Sequence, residues 1–391
     1  MAENSNPSKP LNAAAPVRAI PTDKSKAVEA GTALCLSGGG YRAMVFHIGA
    51  IWRLHESGVL RSLKRISSVS GGSITAGVLA LNWKKLTAAP FSRASFENEF
   101  VKPLRTLAGQ TIDESSVLIG LLPGTTVSAQ IAAAYDKYLF RGATLQDLPD
   151  EPRFVINATN VQTGALWRFM KPYMADYRVG IIDKPTIPLA NAVTASSAFP
   201  PVLSPMSLPL DPGKVRKVEG NDLHQQPYIR RAVLSDGGVY DNLGLETAWK
   251  NYDTILVSDG GGHIDPEGDP STDWPRHSYR VLNLIDNQVR ALRKRQVIDS
   301  YQAPPHDINH RKGTYWGIRT DIANYQVSEP LSCPHDRTLA LAAIPTRLKA
   351  LDDVQQQRLI NWGYAVCDAA LRKHVDPGLG PKVAFPYGVG V

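Results

Sequence analysis

The sequence has no run approaching the roughly twenty apolar residues of a membrane-spanning helix, so any membrane contact is expected to be peripheral. Its three cysteines, Cys35, Cys333 and Cys367, are too few and too scattered for a disulfide framework or a metal site, which fits a reducing cytoplasm. The first thirty residues hold four prolines and no apolar core of signal-peptide length, so residues 1–30 are expected to be a disordered tail. There is no internal repeat. The triple glycine at Gly38, Gly39 and Gly40 lacks the lysine of a P-loop and the later glycines of a dinucleotide fingerprint. Aromatic residues are not interleaved with the basic ones, and no nucleic-acid partner is expected. What is present is 391 residues, 43% hydrophobic and 20% charged, with a formal charge of +7. That is enough chain to bury a large core in one domain, with or without an appendage.

Two glycine-rich turns stand out, Ser37-Gly38-Gly39-Gly40-Tyr41-Arg42 and Ser68-Val69-Ser70-Gly71-Gly72-Ser73. Each follows a short apolar β-branched run and precedes a helical pattern. In the second, a strand ends at Val69, Ser70 sits in the turn, and Ile74, Val78, Leu79 and Leu81 open a helix face. Small neighbours are what a strained strand-to-helix turn needs if it is to expose a serine hydroxyl. A hydroxyl is a weak nucleophile at neutral pH, so a base and a stabiliser for the developing oxyanion must accompany it. Consecutive glycine amides next to a helix N-terminus can supply the stabiliser. For the base, Arg231–Ser235 reads as a strand leading into Asp236-Gly237-Gly238, and Asp253–Ser258 as one leading into Asp259-Gly260-Gly261. Either aspartate would lie at the carboxyl end of a strand, where open α/β sheets gather ligands, and spacing alone does not choose between them.

Four blocks in order, Leu36–Met44, Ser68–Ser73, Ala195–Pro201 and Asp236–Asn242, resemble those of the patatin-like phospholipases. The first is also similar to the oxyanion and arginine block of cytosolic phospholipase A. The resemblance extends over residues 32–262 and implies an α/β fold of three layers, with a mostly parallel central sheet flanked by helices. It implies a Ser–Asp dyad with Ser70 as nucleophile and Asp236 as base, oxyanion donors at Gly38, Gly39 and Gly40, and a lipid-phosphate contact at Arg42. It implies a lipid acyl hydrolase acting on a phospholipid or another lipid ester, with no cofactor and no metal. Asp259 is then read as ending a core strand. Two departures are Ser68 in place of the usual elbow glycine, and Ala43 where many members have glycine. A nucleotide activator, a feature of some bacterial relatives, has no identifiable site in these residues.

Two other classes compete. One is an α/β-hydrolase esterase pairing Ser70 with a histidine such as His263; only about thirty-five residues separate the tail from the elbow, too few for the strands that fold places first. The other is a lipid-binding protein without activity, against which the intact Ser70 and Asp236 argue.

Strands are expected at 32–36, 66–69, 153–159, 231–235 and 253–258, and helices at 41–57, 72–85 and 127–140. These define a catalytic domain over 31–262 and a C-terminal extension over 263–391. Residues 203–230, rich in proline and polar side chains, are expected to form a flap over the site. Residues 278–298 read as a helix whose apolar face packs on the core, with Arg290, Arg293, Lys294 and Arg295 solvated on the other side. The competing reading gives that basic side to an anionic membrane surface, at the inner face of the membrane. Residues 303–335, with His306, His310 and His335, read as irregular, and 346–373 as one or two closing helices.

Overall fold

The computed structural model describes residues 28–88, 90–112, 126–379 and 383–391. Most of the expected N-terminal tail lies outside the described residues; the first strand begins at Glu29. The strands are β1 (Glu29–Leu36), β2 (Leu63–Ser68), β3 (Arg153–Asn160), β4 (Ala165–Phe169), β5 (Tyr173–Asp176), β6 (Gly180–Asp183), β7 (Met206–Pro209), β8 (Arg231–Asp236), β9 (Tyr252–Asp259) and β10 (Lys312–Gly317). The helices of eight residues or more are α1 (Gly40–Glu56), α2 (Gly71–Thr87), α3 (Val127–Tyr135), α4 (Leu189–Ser196), α5 (Trp274–Gln302), α6 (His335–Ala342) and α7 (Asp353–His374).

The ten strands among the described residues form one sheet. Its centre, in the order β10-β9-β1-β2-β3, is parallel throughout. Beyond β3 it continues as an antiparallel meander, β4-β5-β6. The layers follow from the strand period of two. On β1, Leu34 and Leu36 point into the large core shared with α1, α2 and α7, while Ala33 and Cys35 point to the opposite face, against Leu243, Leu245, Ala248 and Val297. The expected three layers are therefore present.

β3 explains how the site assembles. Along one edge it pairs with β4. Its other edge is shared: β2 takes Arg153–Ile156 in parallel, and β8 takes Ala158–Asn160 antiparallel. The two strands thus run toward each other along one edge and end nearly nose to nose. Ser68 faces Ile156 and Asp236 faces Ala158, two residues apart, or roughly 7 Å along the strand.

The C-terminal third is woven into the same body. β10 lies against the outer edge of β9, within the segment expected to be irregular. Its sequence, Lys312-Gly-Thr-Tyr-Trp-Gly317, has a glycine near each end and too few apolar positions to signal a strand. Helix α7 crosses α1 in glycine-mediated contact: a Cβ on Gly49 would overlap the Ile360 carbonyl, and one on Gly363 the Phe46 carbonyl. Arg53 of α1 and Asp368 of α7 pair at 2.8 Å, both buried.

Candidate active site

Ser70 stands between β2 and α2 with φ +50° and ψ −121°, a conformation that a non-glycine residue holds only when its surroundings enforce it. They do so with a serine network. Ser196, from the end of α4, accepts the Ser70 amide at 3.0 Å, donates to the Asn157 carbonyl at 2.7 Å and touches the Ser73 hydroxyl at 2.9 Å. The substitution of serine for the usual glycine at 68 is accommodated sideways: Ser68 Oγ donates to the Val155 carbonyl and accepts from Ser73 Oγ at 3.0 Å. Gly71 is demanded by contact, because a Cβ there would overlap the Gly40 carbonyl of the first glycine turn. The two motifs that the sequence separates therefore touch.

The first turn is fixed from below. Gly39 and Gly40 hold φ of +142° and +61°, opening α1 without a side-chain cap. Their amides have no protein acceptor among the described residues, as expected of donors at a helix N-terminus. Gly38 differs from the expectation: its amide donates to Asn242, to the backbone carbonyl at 3.0 Å and to Oδ1 at 3.1 Å. Beneath the loop lies His47, a residue the sequence reading passed over. Burial pushes its pKa down to about 4, so the ring is neutral. Because the Ser37 carbonyl can only accept, Nε2 carries the proton and donates to it at 3.0 Å, leaving Nδ1 to accept from Ser258 Oγ at 2.8 Å.

The two Asp-Gly-Gly turns separate cleanly. Asp236 is buried at the end of β8, its Oδ1 accepting from the Gly238 amide at 2.7 Å, and its carboxylate lines the same cavity as Ser70, near enough for the serine hydroxyl to lower its pKa. Burial drives its pKa up to about 7 against the pull of the Gly238 amide and the Ser70 hydroxyl, helped by the nearby charge of Asp286. Asp259 is equally buried, but Arg290, the Tyr315 hydroxyl at 2.6 Å and the Gly261 amide at 2.9 Å outweigh burial and hold its pKa below the usual value. Asp259 is a structural anion at the end of β9, without a contact to Ser70.

Arg42 lies away from where the sequence placed it. Its guanidinium is buried and donates to the carbonyls of Gly260 and Ile344 and to Thr346 Oγ1, tying the end of β9 to the loop before α7. These protein acceptors occupy the group expected to meet a lipid phosphate. His263 is exposed on the cavity rim, with no hydrogen bond to Ser70 or Asp236.

Ser70, Asp236 and Gly39 open into a cavity of about 900 Å³. Its wall and roof come from the loop after β9 and from one face of α5, including Tyr279, Asn283 and Asp286. Residues 203–230, the expected flap, contribute no lining residue. They are held elsewhere: β7 pairs with β8, Arg216 pairs with Ile181 of β6, and the Leu223 amide bonds the Arg178 carbonyl. The basic cluster on α5 departs from expectation at Arg290 and Arg293, while Lys294 and Arg295 are exposed as expected. Arg290 faces Asp259 at 3.7 Å, Arg293 pairs with Glu246 at 3.0 Å, and the Lys294 ammonium lies over the Tyr315 ring at 4.6 Å.

Among solved structures, the fold is similar to human GIVD cytosolic phospholipase A2 in complex with methyl gamma-linolenyl fluorophosphonate. That match has a TM-score of 0.50 at 15% identity and covers 87% of this chain and 57% of that one. A second structure of the human enzyme gives 0.48 at 12%, covering 88% and 61%. VipD from Legionella pneumophila gives 0.35 at 16%, covering 90% and 68%. The chain thus spans less than two thirds of the human enzyme's length, and at these identities the likeness is one of fold. No curated protein sequence matches it. The family model of the patatin-like phospholipases matches residues 34–249. That span takes in more than half the chain, with both glycine turns and Asp236 inside it, and the chain belongs to the patatin-like phospholipase family.

Proposed function

We propose that this chain hydrolyses fatty-acyl esters of phospholipids or related lipids through a Ser70–Asp236 dyad and an acyl-enzyme. The observation that carries the reading is a buried carboxylate, its pKa raised to about 7, beside the Ser70 hydroxyl in one cavity. A base of that strength is half ionised near neutral pH yet still accepts a proton readily. No histidine intervenes, so the carboxylate takes the proton itself.

In the first step Ser70 Oγ bonds to the ester carbonyl carbon while its proton passes to Asp236. Negative charge collects on the carbonyl oxygen, which faces the Gly39 and Gly40 amides at the start of α1. Each such donor is worth about 10²–10³ in rate. Gly38, committed to Asn242, holds the loop in shape. Collapse of the tetrahedral species expels the alcohol, which takes the proton from Asp236. Water then repeats the sequence on the acyl-enzyme, with Asp236 again as acceptor, and releases the fatty acid. Arg42, His47 and Ser196 act from beneath, fixing the backbone that carries these groups.

The test is covalent labelling. A long-chain alkyl fluorophosphonate should add to the wild type at Ser70, with loss of ester hydrolysis, and should leave Ser70→Ala unlabelled. Full labelling of the alanine variant at another serine, with Ser68 and Ser73 the nearest, would remove Ser70 from the role.

A further inference from the structure

Helix α5 reverses the expected arrangement. Of its 29 residues only Val297 and Ser300 are buried, both in its C-terminal part, where Tyr301 also bonds the Ile255 carbonyl at 2.8 Å. Toward the N-terminus one face looks into the cavity with Tyr279, Asn283 and Asp286. The opposite face is apolar and left uncovered by the described residues. Trp274 is 81% exposed, and Val281, Leu284, Ile285 and Leu292 lie between 42% and 58%. Trp274, Val281, Ile285 and Leu292 are spaced by seven, four and seven, which sets them in one line along the helix. Six of the twelve large exposed hydrophobic residues described are on this helix.

We propose that this outward stripe of α5 docks on a lipid–water interface by apolar insertion. The proposal rests on the lipid-hydrolase reading of the cavity, which the same helix walls. Resting the stripe on a lipid surface sets the cavity that holds Ser70 on the far side of one helix, whose diameter is roughly 10–12 Å. Composition points the same way: a tryptophan at one end and aliphatic side chains along the line suit the headgroup boundary. The area, a few hundred Å², is small beside the roughly 800 Å² per partner of a stable protein interface, which disfavours a second copy of the chain as its occupant. Charge is not the main attraction, since of the basic cluster Arg290 and Arg293 turn inward to Asp259 and Glu246 and only Lys294 and Arg295 stay exposed, near the helix's C-terminal end. The docking is therefore apolar in character, unlike a polybasic segment on anionic lipid.

The experiment compares the full chain with a triple variant, Trp274→Ser, Ile285→Ser and Leu292→Ser, whose positions touch neither the cavity nor the core. Three readouts are flotation with phosphatidylcholine vesicles, fatty-acid release from those vesicles, and turnover of a water-soluble short-chain nitrophenyl ester. The wild type should float with the vesicles and stay bound in 0.5 M salt, on the order of tenfold or more tightly than the variant. The variant should lose vesicle hydrolysis to the same extent while keeping soluble-ester turnover and its melting temperature. Equal vesicle binding by both proteins overturns the proposal, as does binding that needs anionic lipid and vanishes in salt. A stripe-dependent dimer without vesicle binding also overturns it. If the wild type cleaves neither ester nor lipid yet floats in a stripe-dependent way, the docking surface stands and the hydrolase reading falls.

Discussion

A carboxylate buried to 2% exposure, with its pKa raised to about 7, weakens the fold that holds it. The unfolded chain ionises this group near pH 4, so the folded state keeps the proton longer. The associated stability is intact below about pH 4 and is lost as pH rises through about 7, a few kcal/mol in all. Asp236→Asn removes the charge, and its melting temperature should exceed the wild type's at pH 8 and match it near pH 4; equal values at pH 8 would mean the site is not desolvated. The same pKa sets the rate. Only the ionised form accepts the Ser70 proton, so kcat/KM should fall as pH drops through about 7. Asp286 adds negative charge nearby, and Asp286→Asn should move that acid limb to lower pH. An unmoved limb would exclude Asp286 from the electrostatics of the dyad. Asp286 and His47 were not legible in the sequence: Asp286 reaches the site from the distant helix α5, and His47, though on the helix that the glycine turn opens, belongs to no local motif. Ser70 and the glycines were legible because tight turns and close approach admit few residue types.

The elements meet through contacts that leave no room for side chains. Gly71 of α2 lies against Gly40 of α1, and Gly71→Ala should displace one turn from the other. Its expected outcome is loss of ester turnover with destabilisation of about 1–3 kcal/mol in urea titration; retention of both would mean the turns are not held by this contact. The positions of β1, β2, β3, β8 and β9 were readable from apolar β-branched runs, and the helices after the glycine turns from their periodicity; the short strands β4–β7 and the glycine-flanked β10 were not. The direction of β8 was not. Nothing local distinguishes its antiparallel insertion beside β3, yet that insertion is what brings Asp236 to Ser70. Helix α5 was found at the right place but faced the wrong way. A pattern shows that a helix has an apolar side; whether that side meets core or solvent depends on residues far along the chain.

At the scale of the whole molecule, residues 263–391 close the body that the family span begins. β10 pairs with the edge of β9, α7 covers α1 through Gly49 and Gly363, and α5 walls the cavity. A chain cut after Gly262 should therefore aggregate or show a non-cooperative melt, and a soluble, cooperatively folded, active fragment would make the C-terminal third dispensable. No helix among the described residues is long and apolar enough to cross a membrane. The central claim concerns one proton acceptor, and the direct measurement is turnover of a single soluble ester by purified Asp236→Asn, with Asp259→Asn and His263→Ala as companions and circular dichroism on each. The dyad predicts a fall of about 10²–10⁴-fold for Asp236→Asn and far smaller changes for the other two. An inactive His263→Ala beside an Asp236→Asn that keeps most of its rate would contradict it and return the base to histidine.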